Sequence, residues 1–199
     1  MVETEYISHR VDAAHMQNIG EQSISNKIQA VLELVKNAYD GDALDCTVCF
    51  YGERLNEGEI KVNKIVIQDS GIGMTKADIK EKLMMVGTPN KANEVLSPKF
   101  KRRVVGEKGM GHYSMQRLGT KTVITTTPDL YKGRAFYKYD NATYTLTIDW
   151  TDYVSGKDFQ SITHMLLTQP RTGNPGTTIE ITGLRDNWDL SEPNRDLHA

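Results

Sequence analysis

Three short runs of the chain hold residue types whose spacing can do chemistry together. The first is Glu33-Leu-Val-Lys-Asn37-Ala-Tyr-Asp40. On a helix, at about 100° per residue, Glu33, Asn37 and Asp40 fall within a window of about 60°. A carboxylate and an amide one turn apart can activate a water and ligate a hard cation side by side. Mg²⁺ prefers oxygen ligands and keeps several waters, so one amide oxygen plus phosphate oxygens would suffice. The bland alternative is a solvated face opposite a buried one.

The second run is Ile65-Val-Ile-Gln-Asp69-Ser-Gly71-Ile-Gly73-Met74. An apolar strand delivers an aspartate at its end, and two glycines let the backbone turn sharply beside a ligand. That carboxylate can accept a charge-assisted hydrogen bond from the exocyclic amine of a base. A turn with a local aspartate cap is the plainer reading. The third run is Val104-Val-Gly106-Glu107-Lys108-Gly109-Met110-Gly111-His112-Tyr-Ser114. Three glycines ahead of a helix let backbone N–H groups converge on an anion, and Lys108 adds positive charge. Its G-x-x-G-x-G spacing is neither the dinucleotide fingerprint nor the P-loop.

The elements that must position these runs alternate between helix and strand. Residues 22–40 read as a helix capped by Ser23 or Ser25, with Ile28, Val31, Leu32, Val35 and Tyr39 as its apolar stripe and Gly41 as its stop. Strands are expected at 45–52 and 63–69, around a turn at 56–58. A helix capped by Thr75 runs to about Met85, and another from Gly109 to about Leu118. Further strands read at 120–127, 133–140 and 142–150, with Asp140-Asn141 as a hairpin turn. Residues 151–175 are irregular or mixed, and 176–182 alternate as a final strand. The long segment 87–108 has little periodicity and carries a basic cluster, Lys99, Lys101, Arg102 and Arg103; long loops of this kind tend to be functional.

With 199 residues, 38% hydrophobic and 25% charged, the chain suits one globular domain. A formal net charge of −2 gives no global basic field for nucleic acid. Apolar runs are far too short to span a membrane, and charges interrupt the N-terminus, so a cytoplasmic protein is expected. Cys46 and Cys49 form C-x-x-C, but a strand turns residues three apart to opposite faces, which argues against a metal or redox pair.

Taken together, the order and spacing of the three runs resemble the GHKL superfamily of gyrase B subunits, ninety-kilodalton heat-shock chaperones, MutL proteins and histidine kinases, with Morc proteins as relatives. Glu33-x-x-x-Asn37-Ala-x-Asp40 is similar to its N-box, Asp69-x-Gly71-x-Gly73-Met74 to its adenine box, and Gly106 through Gly111 to its phosphate lid. Gly176-Thr177 matches the Gly-Thr that closes the adenine pocket. The resemblance implies an α/β (α+β) two-layer sandwich of the Bergerat type, with a mixed, mostly antiparallel sheet, helices on one face and an ATP lid. It implies ATP and Mg²⁺ as ligands, Glu33 as general base and Asn37 as the Mg²⁺ ligand. Asp69 would read the adenine amine with Thr177 helping through water. Gly71, Gly73 and Met74 would line the base, Asp40 would shape the pocket floor, and Gly106, Glu107, Lys108, Gly109, Met110 and Gly111 would wrap the phosphates. Thr88 and Lys91 look like a further lid element.

The implied domain covers residues 1–183, with 1–21 an extension and candidate dimer strap, 87–108 the lid, and 184–199 a polar tail or the start of a linker to a downstream region. The resemblance implies slow hydrolysis of ATP coupled to lid closure and homodimerisation, acting on a client protein or DNA. A nucleotide sensor that does not hydrolyse is the alternative. A histidine kinase is disfavoured, because only 23 residues separate His9 from Glu33, too few for a dimerisation hairpin. The basic run 99–103 reads as a solvated, mobile lid, and His112 as a lid-packing side chain.

Overall fold

The computed structural model describes residues 11–15, 18, 24, 26–55, 60–85, 96–106, 111–130 and 141–188, without the side chains of 111 and 112. Among the described residues, six strands form one sheet: β1 (Cys46–Arg54), β2 (Ile60–Asp69), β3 (Gly119–Thr127), β4 (Ala142–Asp149), β5 (Met165–Pro170) and β6 (Gly176–Leu184). Their spatial order is β1-β2-β6-β3-β4-β5. All described pairings are antiparallel, so the mixed sheet of the expectation is antiparallel throughout the described residues. β6, last in the chain, fills the centre.

The period-2 alternation of each strand, combined with the register, sorts one face into rows. Val48, Ile67, Ile179, Ile124, Leu146 and Leu166 lie side by side across the sheet, and Phe50, Ile65, Ile181, Thr122 and Ile148 form the next row. The row on the other side is polar: Cys46, Asp69, Thr177, Thr126, Tyr144 and Thr168. The core therefore fills the middle of this face, and one end of it is chemically different.

Helix α1 (Lys27–Asp40) covers that face and packs against α3 (Gly111–Leu118). Its cap is Asn26, whose side chain accepts from the Gln29 amide at 2.8 Å, so the helix begins later than expected. Ser23 and Ser25 lie outside the described residues. The buried face is also rotated from the expected stripe: Ala30, Val31, Leu34 and Ala38 are buried, while Leu32 and Tyr39 are about two-fifths exposed (41% and 42%). Small alanines at 30 and 38 allow the close approach of α3, which a size-based reading of the stripe does not anticipate. In consequence Glu33, Asn37 and Asp40 border the buried face, half-buried, rather than oppose it.

The helix ends in a Schellman arrangement, with the Ala43 amide on the Ala38 carbonyl and the Asp42 amide on that of Tyr39. The left-handed residue is Asp42, at φ 60, and the expected stop Gly41 has φ −81. Asp42 holds that conformation because its buried carboxylate is locked by three donors, described below.

Thr75 caps α2 (Lys76–Asp78) through a capping box with Asp78, and the chain continues as a π-helix over Ile79–Leu83. The irregular stretch 151–175 contains β5 and two 3₁₀ turns, Trp150–Asp152 and Phe159–Ser161. Of the N-terminal extension, residues 11–13 clasp the chain's own loop: the Ala13 amide donates to Lys157, and those of Phe159 and Gly156 to the Val11 carbonyl and Asp12 Oδ2. Residues 185–188, expected in the polar tail, also pack down. Arg117 pairs with Asp186, Trp188 is buried against Phe50 with ring centroids 4.9 Å apart, and Lys27 lies over the indole. The strand expected at 133–140, Asp140 and the turn at 56–58 lie outside the described residues. No helix among those described is long and apolar enough to cross a membrane.

Candidate functional site

The polar end row sets the site. Asp69 ends β2, opposite Thr177 at the start of β6. Its Oδ1 accepts from the amides of Gly71 at 2.8 Å and Thr177 at 3.3 Å. Among the described residues Oδ2 has no partner, so it is open to a donor on a ligand. Burial pushes this carboxyl above the usual carboxylate range; the two amide bonds pull against that, and nearby Asp45 adds to the rise.

The loop after Asp69 is suspended by its backbone. The Ile72 amide donates to the Gly41 carbonyl at 2.8 Å, and the Ile72 carbonyl accepts from the Asp129 amide at 2.7 Å. The Met74 amide donates to Thr126 Oγ1 at 2.9 Å. Glycine is required at Gly73, where φ is +56 and a Cβ would stand 2.1 Å from the Thr127 carbonyl oxygen. At Gly71 a Cβ would meet the Gly41 carbonyl oxygen at 2.6 Å, so a bare backbone lets the end of α1 touch the loop.

Thr126 is a residue sequence reasoning missed. Its hydroxyl lies 3.1 Å from the Gly176 carbonyl and 3.0 Å from Thr177 Oγ1, besides receiving the Met74 amide. One donor and two lone pairs are all matched when it donates to Gly176 and accepts from Met74 and Thr177. The alternation of β3 was the only available signal, and it marks Thr126 as inward-facing without marking it as a hub. Cys46 is in this end row and packs on the core, while Cys49 pairs with Val66 one position out of phase, so the two thiols face opposite sides of the sheet.

Along the border of α1, Glu33 and Asn37 stand one turn apart, and Glu33 Oε1 pairs with Lys36 Nζ at 2.7 Å. The arrangement offers an acceptor for an amine at Asp69, and a carboxylate and amide on the helix whose end meets the loop after Asp69. The sequence pattern of the family described as "Histidine kinase-, DNA gyrase B-, and HSP90-like ATPase" matches residues 24–169. The chain belongs to this ATPase family. Membership implies ATP binding.

The chain is also 32% identical over 96 residues to "Putative type II restriction enzyme HgiDII" of Herpetosiphon aurantiacus, a match covering 48% of this chain and 14% of that protein. The chain thus spans about one seventh of the length of this relative.

In this member of the ATPase family, Asp40 grips the start of the glycine segment: Oδ1 accepts from the Val105 amide at 2.9 Å and Oδ2 from the Gly106 amide at 3.0 Å. The Gly106 amide, expected to face phosphate, is therefore committed to Asp40. Gly111 opens α3. Glu107, Lys108, Gly109 and Met110, together with Thr88, Lys91 and His9, lie outside the described residues, as does the His112 side chain.

The basic run is solvated as expected, with Lys99, Lys101 and Arg103 exposed, and it is also a tethered hairpin. Leu96 and Arg103 form a bridge, and buried Asp42 takes Ser97 Oγ at 2.5 Å, the Lys99 amide at 2.6 Å and the Phe100 amide at 3.1 Å. Arg102 donates to the Ala43 carbonyl and lies over the rings of Tyr39 and Phe100. Lys99 Nζ pairs with Asp129 at 2.7 Å. A buried acid immediately beyond Gly41 was the missing signal; read as a loop residue, Asp42 gives no hint of its partners, which lie 55 to 58 positions away.

Proposed function

We propose that this domain binds Mg-ATP in the polar end row and hydrolyses it slowly, as a module of a larger protein. The observation that carries the reading is Asp69: half-buried, with Oδ1 fixed by two backbone amides and Oδ2 without a partner among the described residues. An adenine amine satisfies that oxygen, and an acceptor held so rigidly discriminates against bases lacking the donor. Gly71, Gly73 and Met74 lie along the base, with Thr177 reaching it through water. With Gly106 held on Asp40, the rest of the glycine segment, Glu107, Lys108, Gly109, Met110 and Gly111, is assigned to the phosphates.

Glu33 acts as general base toward the attacking water, and positioning does most of the rest, as in other phosphoryl transfers. The donor set fits Mg²⁺: the amide oxygen of Asn37 would hold it together with phosphate oxygens, and the ion would neutralise charge developing on the phosphates. Lid closure on ATP, homodimerisation and action on a client complete the reading. The partial match to a much longer protein supports a module within a larger assembly, and the description of that relative as a restriction enzyme favours DNA as the client. A second reading, a nucleotide sensor with negligible turnover, is favoured by the Lys36 ammonium held on Glu33.

Calorimetric titration of ATP, with and without Mg²⁺, into the wild type and Asp69→Asn tests the assignment. Mg²⁺-sensitive binding that vanishes in the variant is expected. Equal affinity in the two proteins refutes the placement of the base, and binding without measurable turnover selects the sensor.

A further inference from the structure

The tethered hairpin and the base-side loop are joined in a closed circuit of contacts. Starting at the end of α1, the Gly41 carbonyl receives the Ile72 amide, and the Ile72 carbonyl receives the Asp129 amide. Asp129 Oδ2 takes Lys99 Nζ at 2.7 Å. The Lys99 amide returns to Asp42 Oδ2 at 2.6 Å, one residue from Gly41. Three of the four links use backbone groups, and the fourth, Lys99 to Asp129, is a side-chain ion pair across the gap. On one side of that pair lies the loop 70–74; on the other lies the hairpin 96–103, which leads directly into the glycine segment gripped by Asp40.

We infer that Lys99 and Asp129 form a positioning contact that holds the hairpin 96–103, and with it the start of the phosphate segment at Gly106, in register with the base-side loop. Ligands that span both sides are thereby favoured over ligands that occupy the base side alone. The inference rests on the nucleotide reading above and adds a cause for discrimination between a nucleotide and its nucleoside. Lys99 bonds Asp42 through its backbone and Asp129 through its side chain, so the ammonium can be removed without releasing the hairpin. Asp42 supplies the stiffness. It is 2% exposed and accepts from Ser97, which is fully buried, so the hairpin has little freedom to drift.

The experiment compares affinities for ATP and adenosine, each titrated into the wild type, Lys99→Met, Asp42→Asn, and the charge exchange Lys99→Asp with Asp129→Lys. A half-exposed ion pair of this geometry predicts a three- to fivefold loss of ATP affinity in Lys99→Met, roughly the effect of exposed pairs at their upper end, with adenosine affinity unchanged. Asp42→Asn keeps one side-chain oxygen and puts an NH₂ where the other stood, so the N–H of Lys99 or of Phe100 loses its acceptor, and ATP affinity should fall about tenfold. The charge exchange should return ATP affinity toward the wild-type value, which general loosening of the fold would not do. Equal losses for ATP and adenosine, or no loss for either, overturn the inference while leaving the nucleotide site standing. Failure of the wild type to bind either ligand removes the nucleotide reading itself, and this inference with it.

Discussion

Replacing Thr126 by valine keeps the shape of a buried side chain and deletes one oxygen. That oxygen receives the Met74 amide at 2.9 Å and contacts Thr177 Oγ1 at 3.0 Å. A fully buried donor left without a partner costs about 1–3 kcal/mol; Met74 is only half-buried, so the lower half applies, about 1–2 kcal/mol. The lost contact with Thr177 adds about 0.5–1 kcal/mol, and the extra methyl group in a dry site returns about 0.8 kcal/mol. The net destabilisation is therefore about 1–2 kcal/mol, which for a domain of this size lowers the melting temperature by roughly 2–8 °C. Thr126→Ser loses the methyl group, a change of about 0.8 kcal/mol, and keeps every hydrogen bond. Melting alone thus separates the two variants poorly. Nucleotide titration separates them well, because only the valine frees the loop that carries Met74 and the hydroxyl of Thr177. ATP affinity should fall about tenfold in Thr126→Val, equivalent to about 1.4 kcal/mol, and stay within about twofold in Thr126→Ser. Wild-type affinity in the valine variant would refute the assignment of Thr126 as the hub under the base.

Glu33→Ala should reduce single-turnover hydrolysis by about 10²–10⁴-fold with ATP affinity nearly unchanged, because a general base contacts water and not the ground-state ligand; loss of binding alongside turnover would reassign Glu33 to the ligand. Adenosine affinity, free of phosphate titration, should be full at neutral pH and fall on acidification through a window above the usual carboxylate range, since burial raises Asp69 and the amine needs the ionised form. In the same window the unliganded fold retains a proton that the unfolded chain has released, so the Asp69 contribution to stability falls as pH rises; a flat adenosine profile in the wild type, matching Asp69→Asn, would contradict this. Gly73→Ala adds a left-handed penalty of roughly 1–2 kcal/mol to a clash with the Thr127 carbonyl, so thermal unfolding should show a loss of about 2–4 kcal/mol and titration a loss of binding. An alanine variant that melts with the wild type would mean that the loop has another conformation.

The architecture was legible because strand alternation and the spacing of three polar runs are local signals. Asp69, its glycines and Thr177 come together through one antiparallel register, which the sequence presents as an aspartate at one strand end and a Gly-Thr at another strand start. The errors lie where burial depends on the partner. The stripe of α1 was read by size, whereas the approach of α3 selects Ala30 and Ala38 and leaves Tyr39 outside. The hairpin 96–103 is solvated as its charges suggest, but its anchor was not legible: a single buried carboxylate at 42 has no periodicity to betray it. Trp188 was lost among polar neighbours, although an indole that size finds a partner, here Phe50.

The position of β6 in the sheet has a consequence for how the molecule comes into being. During synthesis β1 and β2 can pair as a hairpin, and β3, β4 and β5 can pair among themselves, but among the described strands no pairing joins the two half-sheets until residues 176–184 have been made. The last strand must then insert between two waiting edges over long loops, the kind of distant pairing that slows folding and leaves open edges exposed. Asp69 acquires its second backbone donor, and Thr126 its partners at Gly176 and Thr177, in that same event. A ribosome stalled short of residue 176 would carry two half-sheets with open edges and an unfinished site, so competence to bind waits on that one strand.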